Sequence, residues 1–194
     1  DDVDAERRAG LLGDEITRRL GVLSYGAEDD SLAAAFGRVV ASRGLTVATA
    51  ESCTGGLLGA LITSIPGASA HYLGGAVCYA DGEKVRQLGV RPETLASAGA
   101  VSEETVREMA AGMRERSGAD LAVAVSGIAG PGGGSEDKPV GAVWLALAGQ
   151  GGVTARHILW PGARDQVRTL AAWWALSMVL SEVAGADAGA GGAS

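Results

Sequence analysis

Apolar and polar positions alternate along the chain in blocks that predict strands and helices in turn. Short apolar runs predict strands at Leu45–Ala50, Gly75–Ala80, Leu121–Ser126, Val140–Leu147 and Val153–Trp160. Helical spacing and cap residues predict helices at 4–20, 31 to about 42, Thr54–Ser64, Asp81–Leu88, Pro92–Ala98, Ser102 to about 117, and Arg164 to about 183. The segment Gly149-Gln150-Gly151-Gly152 predicts a hairpin. The predicted fold is therefore α/β, a three-layer α/β/α sandwich with a mixed, mostly parallel sheet.

The two ends of the chain predict one domain with short extensions. A charged helix and a short apolar run at Val22–Tyr25 precede a boundary near Gly26, so residues 1–26 form a predicted N-terminal segment. Residues 27–184 form the predicted domain, because a chain of 194 residues suits one core. The Gly- and Ala-rich tail 185–194 is predicted to be disordered. The chain begins with Asp1 rather than Met, which favours a piece of a longer protein.

The charge balance argues against nucleic acid as the main ligand. Sixteen Lys and Arg stand against 23 Asp and Glu, for a formal net charge of -7, and the basic residues form no stripe. Two cysteines without a CxxC pair, and no apolar leader, favour a reducing, cytoplasmic setting. No apolar run approaches the ~20 residues that cross a bilayer, so no membrane segment is predicted.

The stretch ATAESCTGGL, residues 48–57, places a candidate nucleophile where a strand turns into a helix. Ser52 would stand at the sheet edge where ligands bind in open α/β folds. The N–H groups of Thr54, Gly55 and Gly56 would begin the helix, free to stabilise an oxyanion. The alternative is that Ser52 or Thr54 only caps the helix. Cys53 is predicted to be a small buried residue.

Lysine, rather than histidine, is the candidate partner of Ser52. His71 and His157 lie in no Gly- or Ser-rich turn, which disfavours a Ser-His-Asp triad and, with two widely spaced cysteines, a metal site. Lys84 follows a strand end that could neighbour Ser52, but it accepts a proton only when neutral. Asp81, three residues earlier, favours the ammonium. Lys84 is therefore a candidate base, a charge stabiliser or a solvated helix lysine.

A glycine-dense loop offers a second half of a site. Residues 127–135 carry five glycines, and uncrowded N–H groups of this kind can hold a phosphate. The loop matches neither GxxxxGK[ST] nor GxGxxG. Arg164, at the start of the last helix, could add a phosphate contact or pair with Asp165. On the same helix, one of Trp173 and Trp174 is predicted to be in the core and the other partly exposed or in an oligomer contact.

Four motifs in series resemble a known family. AESCTGG (50–56), VCYADGEK (77–84), SGIAGPGGGSEDKPVG (126–141) and GARDQVR (162–168) are similar to the C-terminal domain of CinA, the competence/damage-inducible family, and to the stand-alone nicotinamide-nucleotide amidohydrolases. The resemblance covers about 30–183. The segment 13–40 also resembles the part that joins the two halves of full-length CinA. It favours a carboxyl half that lacks the preceding molybdopterin-binding-like domain.

The resemblance implies hydrolysis of the carboxamide of nicotinamide mononucleotide to nicotinate mononucleotide and ammonia, without metal or other cofactor, in a domain that forms homo-oligomers. It places the catalytic pair on Ser52 and Lys84. The implied substrate contacts are Thr54, Gly55, Gly56, Tyr79, Ser126, Gly127, Ile128, Ala129, Gly130 and Arg164. Between the tyrosine and the lysine this chain carries Ala80-Asp81-Gly82-Glu83, a departure from the Ser, Thr and Asn common in the family.

A rival function belongs to a different class. The domain could be a non-catalytic binding or assembly module that acts in competence and DNA damage through a protein partner. Ammonia release discriminates the two, because a module without catalysis would keep its partner and release none.

Overall fold

The computed structural model describes residues 2–20 and 31–190. Within these ranges a five-stranded sheet has the order β2-β1-β3-β4-β5. The strands are β1 (Val47–Glu51), β2 (Tyr72–Val77), β3 (Leu121–Gly127), β4 (Ala142–Gly149) and β5 (Gly152–Leu159). β1 pairs in parallel with β2 and β3, whereas β4 is antiparallel to both β3 and β5. The sheet is therefore mixed, as predicted, and β4 runs against the other strands.

Helices cover both faces of the sheet. They are α1 (Asp2–Leu20), α2 (Leu32–Ser42), α3 (Leu57–Thr63), α4 (Asp81–Leu88), α5 (Pro92–Ala98), α6 (Glu103–Ser117) and α7 (Arg164–Ala190), with a 3₁₀ turn at Ala68–Ala70. One core joins α2, α3 and α7 to the large side chains of β3, such as Val123 and Val125. The other joins α4 and α6 to small ones, such as Ala124. The alternation along β3 produces the predicted three layers, because successive side chains face opposite sides of a strand.

Several element boundaries match the sequence pattern closely. α4 and α5 have the predicted bounds, and α2 is capped by Ser31, whose Oγ accepts a hydrogen bond of 3.1 Å from the Ala34 N–H. Ser102 caps α6 in the same way, through the Thr105 N–H at 3.2 Å. The predicted hairpin is present between β4 and β5, where Gly149 pairs with Gly152.

Other boundaries differ, and glycine explains most of them. α3 begins at Leu57 rather than Thr54 because Gly55 and Gly56 have φ values of 60° and 95°, outside the right-handed helix. β2 begins at Tyr72, before Gly74 and Gly75, whose low strand propensity conceals its start. α7 continues past Val183, so residues 185–190 of the predicted disordered tail are helical. The short apolar run at 22–25 lies outside the described residues.

The prediction for the tryptophan pair is wrong, since both side chains are exposed, Trp173 by 47% and Trp174 by 40%. The inner face of α7 is occupied instead by Ala171, Ala172, Ala175 and Leu176, which turns positions 173 and 174 outward. None of the helices in the described ranges combines the length and apolar character that a bilayer crossing requires.

The parallel register brings three loops to one edge of the sheet. Glu51 at the end of β1 pairs with Val77 of β2 and Val125 of β3. The Cys78 N–H donates to the Glu51 carbonyl oxygen at 2.8 Å, and the Ser52 N–H donates to the Val125 carbonyl oxygen at 2.9 Å. The segments after β1, β2 and β3 are therefore neighbours at the carboxyl edge, where open α/β sheets bind ligands.

Candidate functional site

Ser52 lies directly after β1, in a tight turn that leads to α3. Ser52 is 8% exposed, and its carbonyl oxygen accepts the Gly55 N–H at 3.1 Å. Within the described part of the chain, the Ser52 hydroxyl makes no hydrogen bond, so it does not cap the helix. The left-handed Gly55 and Gly56 close the turn and keep this loop short.

Glu51 caps the start of α3, a role that one alternative gave to Ser52 or Thr54. Its carboxylate is 2% exposed and accepts the N–H groups of Gly56 (2.9 Å), Leu58 (3.1 Å) and Gly59 (2.8 Å). A buried carboxylate at a helix N-terminus satisfies free donors and matches the helix dipole. The expectation that the N–H groups of Gly55 and Gly56 are free is therefore wrong.

Two N–H groups and one hydroxyl of the turn after Ser52 form no hydrogen bond to an oxygen atom of the described chain. In the described chain the N–H groups of Cys53 and Thr54 donate to no oxygen atom. The Thr54 hydroxyl is buried and has no partner among the described residues. Burial raises the pKa of the Cys53 thiol to about 11, so Cys53 is protonated near neutral pH and is the predicted buried residue rather than a nucleophile.

Arg168 holds the same loop from α7. Its Nε donates to the Cys53 carbonyl oxygen at 3.2 Å, and its Nη2 donates to the Thr54 carbonyl oxygen at 2.8 Å. Arg168 also pairs with Asp165, at 3.6 Å. Asp165 is thus the partner of Arg168 and not, as one alternative had it, of Arg164.

Lys84 is among the most buried polar residues, with 1% exposure, although it carries an amine. Its Nζ donates to the Tyr79 carbonyl oxygen at 3.1 Å and to the Asp81 carboxylate at 3.2 Å. The interpretation of Lys84 as a solvated helix lysine is therefore wrong. Lys84 belongs to the segment after β2, which adjoins the Ser52 segment.

Tyr79, Gly130 and Arg164 meet at this edge from three separate segments. Arg164 donates from Nη1 to the Gly130 carbonyl oxygen at 2.7 Å and from Nη2 to the Tyr79 hydroxyl at 3.2 Å. The Tyr79 residue is 59% exposed, so its ring is open to a ligand. Arg164 has five N–H donors and retains some for an anion.

The glycine-rich loop divides into anchored and open parts. Ser126 is buried and its hydroxyl donates to the Ala100 carbonyl oxygen at 2.7 Å. The Ile128 N–H donates to the Ala142 carbonyl oxygen at 2.9 Å, and a Cβ at Gly127 would lie 2.6 Å from a Val143 methyl carbon. Beyond them, five N–H groups have no acceptor within the described residues: those of the buried Ala129 and Gly130, and those of Gly132, Gly133 and Gly134, which are exposed and form the open part.

The two histidines are separated from the Ser52 turn, His71 at the opposite end of β1 and His157 on β5, beyond β3 and β4. His71 packs its ring edge-on against Phe36, and burial lowers its pKa. His157 is on β5, as predicted, with its ring 4.9 Å from that of Trp144. Over residues 2–20 and 31–190, no three metal-binding side chains form a group that could hold a metal ion.

Sequence reasoning found most of these positions and missed two. Glu51 and Arg168 both lie inside the quoted motifs, but neither received a role. The available signals were a carboxylate placed just before an uncapped Gly-Gly helix start, and the four-residue spacing between Arg164 and Arg168, which puts them on one helix face.

Comparison with known proteins gives consistent matches over the same region. A profile of the CinA C-terminal domain family matches residues 29–183. A protein of Symbiobacterium thermophilum, named as competence-damage inducible, is 48% identical over 188 residues, which is 92% of this chain and 44% of that protein. A CinA-like protein of Gemmatimonas aurantiaca is 46% identical over 173 residues, 89% of this chain and 40% of its own. The chain thus spans less than half the length of these relatives.

Solved structures give the same result for the fold. The crystal structure of a CinA superfamily protein from Klebsiella pneumoniae superimposes with a TM-score of 0.76 at 38% identity, covering 79% of this chain and 96% of that one. A competence/damage inducible protein, CihA, from Agrobacterium tumefaciens gives a TM-score of 0.74 at 41% identity, with 80% and 98% coverage.

Proposed function

The chain belongs to the CinA C-terminal domain family, and on that basis we propose that it hydrolyses the carboxamide of nicotinamide mononucleotide to nicotinate mononucleotide and ammonia. Ser52 is the nucleophile and Lys84 its partner. The observation that carries the proposal is the burial of both groups, at 8% and 1% exposure, in the segments that follow two adjacent parallel strands. Burial of a lysine costs free energy, so a lysine buried beside a candidate nucleophile is a candidate for a functional role.

The substrate phosphate binds the open part of the glycine-rich loop. The N–H groups of the exposed glycines at 132–134, and those of the buried Ala129 and Gly130 beside them, have no protein acceptor in the described chain, which suits them to phosphate oxygens. Arg164 adds a cation beside Gly130. Ser126, Gly127 and Ile128 support this loop through the contacts they already make. Tyr79, exposed and adjacent to Arg164, packs against the pyridinium ring.

The chemistry proceeds through an acyl-enzyme. The Ser52 oxygen bonds to the amide carbon as its proton passes to the neutral Lys84 amine, and the carbonyl oxygen becomes an oxyanion. The C–N bond then breaks, and the leaving nitrogen departs as ammonia with the proton from Lys84. Water attacks the ester, releases the nicotinate carboxylate and restores the Ser52 hydroxyl. No cofactor is needed for this balance.

The oxyanion is stabilised by donors of Cys53 and Thr54. Because Gly55 and Gly56 already donate to Ser52 and Glu51, the donors of this turn that remain without an oxygen acceptor in the described chain are the N–H groups of Cys53 and Thr54. The Thr54 hydroxyl is buried, without a partner in the described chain, and can add a further donor. Donors of this kind lower the barrier most when they are fixed before the reaction.

Ammonia release from three related compounds tests the proposal. Nicotinamide mononucleotide, nicotinamide riboside and free nicotinamide carry the same carboxamide, but only the first has the phosphate. We expect rapid release from the mononucleotide and much slower release from the other two, because remote binding energy is needed to orient the amide. No release from any of them, by a folded protein, would reject the proposal.

The rival function, a binding module that acts through a protein partner, has one structural feature in its favour. Trp160, Trp173 and Trp174 are all exposed, and Trp160 and Trp173 line one surface cavity of about 330 Å³. Exposed aromatic residues are common at protein interfaces. A folded protein that releases no ammonia, yet binds a partner lost on Trp173→Ala, would favour the module.

A further inference from the structure

The loop that carries Ser52 is held on both sides by charged side chains that the proposed chemistry does not use. On its N–H side, the Glu51 carboxylate accepts from Gly56 at 2.9 Å, and also from the first turn of α3. On its carbonyl side, the Arg168 guanidinium donates to Cys53 at 3.2 Å and Thr54 at 2.8 Å. Every residue from 53 to 56 except Gly55 is bound directly by one of these two side chains.

Glu51 does more than a helix cap needs. A Ser or Asp at the cap position would satisfy one or two donors from the surface. Glu51 instead reaches forward from the last position of β1 and is almost completely buried, which costs free energy that its three N–H donors must offset. The result is a fixed relationship between the end of β1, the Ser52 turn and the start of α3.

Arg168 links the Ser52 loop to the rest of the site. It lies one helical turn beyond Arg164, which donates to Gly130 of the glycine-rich loop. The first turns of α7 therefore hold both loops, and the rigid helix sets the distance between them. A planar guanidinium can serve two adjacent carbonyl groups at once, which a lysine ammonium on a flexible stem does poorly.

We propose that Glu51 and Arg168 are positioning residues that hold the Ser52 hydroxyl and the N–H groups of Cys53 and Thr54 in a reactive arrangement. The inference rests on the proposed function, since it concerns the same serine. It explains the geometry of the Ser52 turn by the hydrogen bonds of these two side chains, which burial of either residue would not by itself explain. Misplacement of a reacting group by about 1 Å can cost about 100-fold in rate.

The test compares Glu51→Gln, Arg168→Gln and Arg168→Lys with Glu108→Gln as a matched control. Glu108, on α6, is also a carboxylate that accepts a backbone N–H, from Arg91 at 2.8 Å, and a hydroxyl, from Thr94 at 2.8 Å, but it joins α6 to α5 and also pairs with the Arg91 guanidinium. Two rates are measured: kcat for nicotinamide mononucleotide, and phosphonylation of Ser52 by a fluorophosphonate, followed by intact mass. In the second, the Ser52 oxygen bonds to phosphorus and fluoride leaves.

We expect Glu51→Gln and Arg168→Gln to lower both rates about 100-fold, with KM changed by less than about threefold. Arg168→Lys should recover part of the loss, because it retains one carbonyl contact. Glu108→Gln should lower the melting temperature while leaving both rates within about twofold. If Glu51→Gln does not fold, the two Arg168 variants decide the question.

The outcomes separate this inference from the proposed function. Variants that lose stability as Glu108→Gln does, but keep both rates, would show a purely structural role and overturn the inference. A wild type that is labelled at Ser52 but releases no ammonia would reject the proposed reaction, while the labelling rates still decide the positioning role. A wild type that shows neither labelling nor release would overturn both.

Discussion

The guanidinium of Arg164 lies 3.2 Å from the hydroxyl of Tyr79, across 85 residues of chain. The contact joins the start of the last helix to the segment after β2, and the same guanidinium also donates to Gly130. Three segments that are remote in the sequence thus surround one edge of the sheet, within reach of a ligand bound there.

Replacement of Arg164 by Ala should weaken binding of the nucleotide through its phosphate. A hydrogen bond to a charged group contributes about 1.5–3 kcal/mol, so KM for nicotinamide mononucleotide should rise about 10–100-fold. Steady-state kinetics on nicotinamide riboside, which has no phosphate, should show little change. Arg156→Ala, an exposed arginine on β5, is the control. An equal loss on both substrates would contradict a phosphate contact.

Replacement of Lys84 by Met should remove catalysis while the protein remains folded. Methionine fills a similar volume, and Asp81, with a side chain 60% exposed, would be left in solvent. We expect kcat to fall about 10²–10⁴-fold, with melting temperature little changed. Activity within a few fold of wild type would remove Lys84 from the mechanism.

Replacement of Asp81 by Asn separates the two possible roles of Lys84. Without the carboxylate 3.2 Å from Nζ, the neutral amine becomes easier to form. If Lys84 accepts the Ser52 proton, kcat/KM at pH 7 should rise. A fall in kcat/KM, with the fold retained, would favour a lysine that acts as a fixed positive charge.

His71 should make stability depend on pH above the range where carboxylates titrate. Burial against Phe36 lowers its pKa from the ordinary value of about 6.5, so the unfolded chain takes up the proton first. The contribution of the neutral His71 to the free energy of unfolding is complete above about pH 6.5 and is lost as the pH falls. From pH 7 to pH 5.5 the melting temperature should fall less in His71→Gln than in wild type. An equal fall in both proteins would contradict this origin of the pH dependence.

The approach of α6 to α4 should tolerate no side chain at Gly112. A Cβ there would lie 1.7 Å from the Leu88 carbonyl oxygen, at the end of the helix that carries Lys84. We expect Gly112→Ala to lower the free energy of unfolding by about 1–3 kcal/mol, or more, in denaturant titration. Gly82→Ala, in open space within α4, should instead raise it by about 0.5–1 kcal/mol. Equal changes in the free energy of unfolding for the two variants would show that the contact between Gly112 and Leu88 leaves room for a side chain.

The fold was largely predictable because its signals are local. Apolar runs located the strands, and Ser31 and Ser102 marked helix starts by capping chemistry that acts within three residues. Errors arose where distant packing decides. The exposure of Trp173 and Trp174 depends on which face of α7 meets the sheet, and the start of β2 depends on pairing with β1 across its two glycines.

The site was predictable as a set of segments but not as a set of contacts. The positions of Ser52, Tyr79, Lys84 and Arg164 follow from strand ends and motifs. The partners of Arg164 and Arg168 could not be read from the chain, because 34 residues separate Arg164 from Gly130 and 114 separate Arg168 from Thr54. The occupation of the Gly56 N–H by Glu51 is a tertiary feature of the same kind, and it changes which donors can face an oxyanion.

Ammonia release by Ser52→Ala, measured with nicotinamide mononucleotide, tests the central claim most directly. The account predicts a fall in kcat of about 10³-fold or more, with the melting temperature and circular dichroism of wild type retained. Ser97→Ala, which removes an exposed hydroxyl that donates to the Glu93 and Thr94 carbonyl oxygens of its own helix, should keep full activity. Ammonia release by folded Ser52→Ala within about tenfold of the wild-type rate would contradict the assignment of Ser52 as the nucleophile.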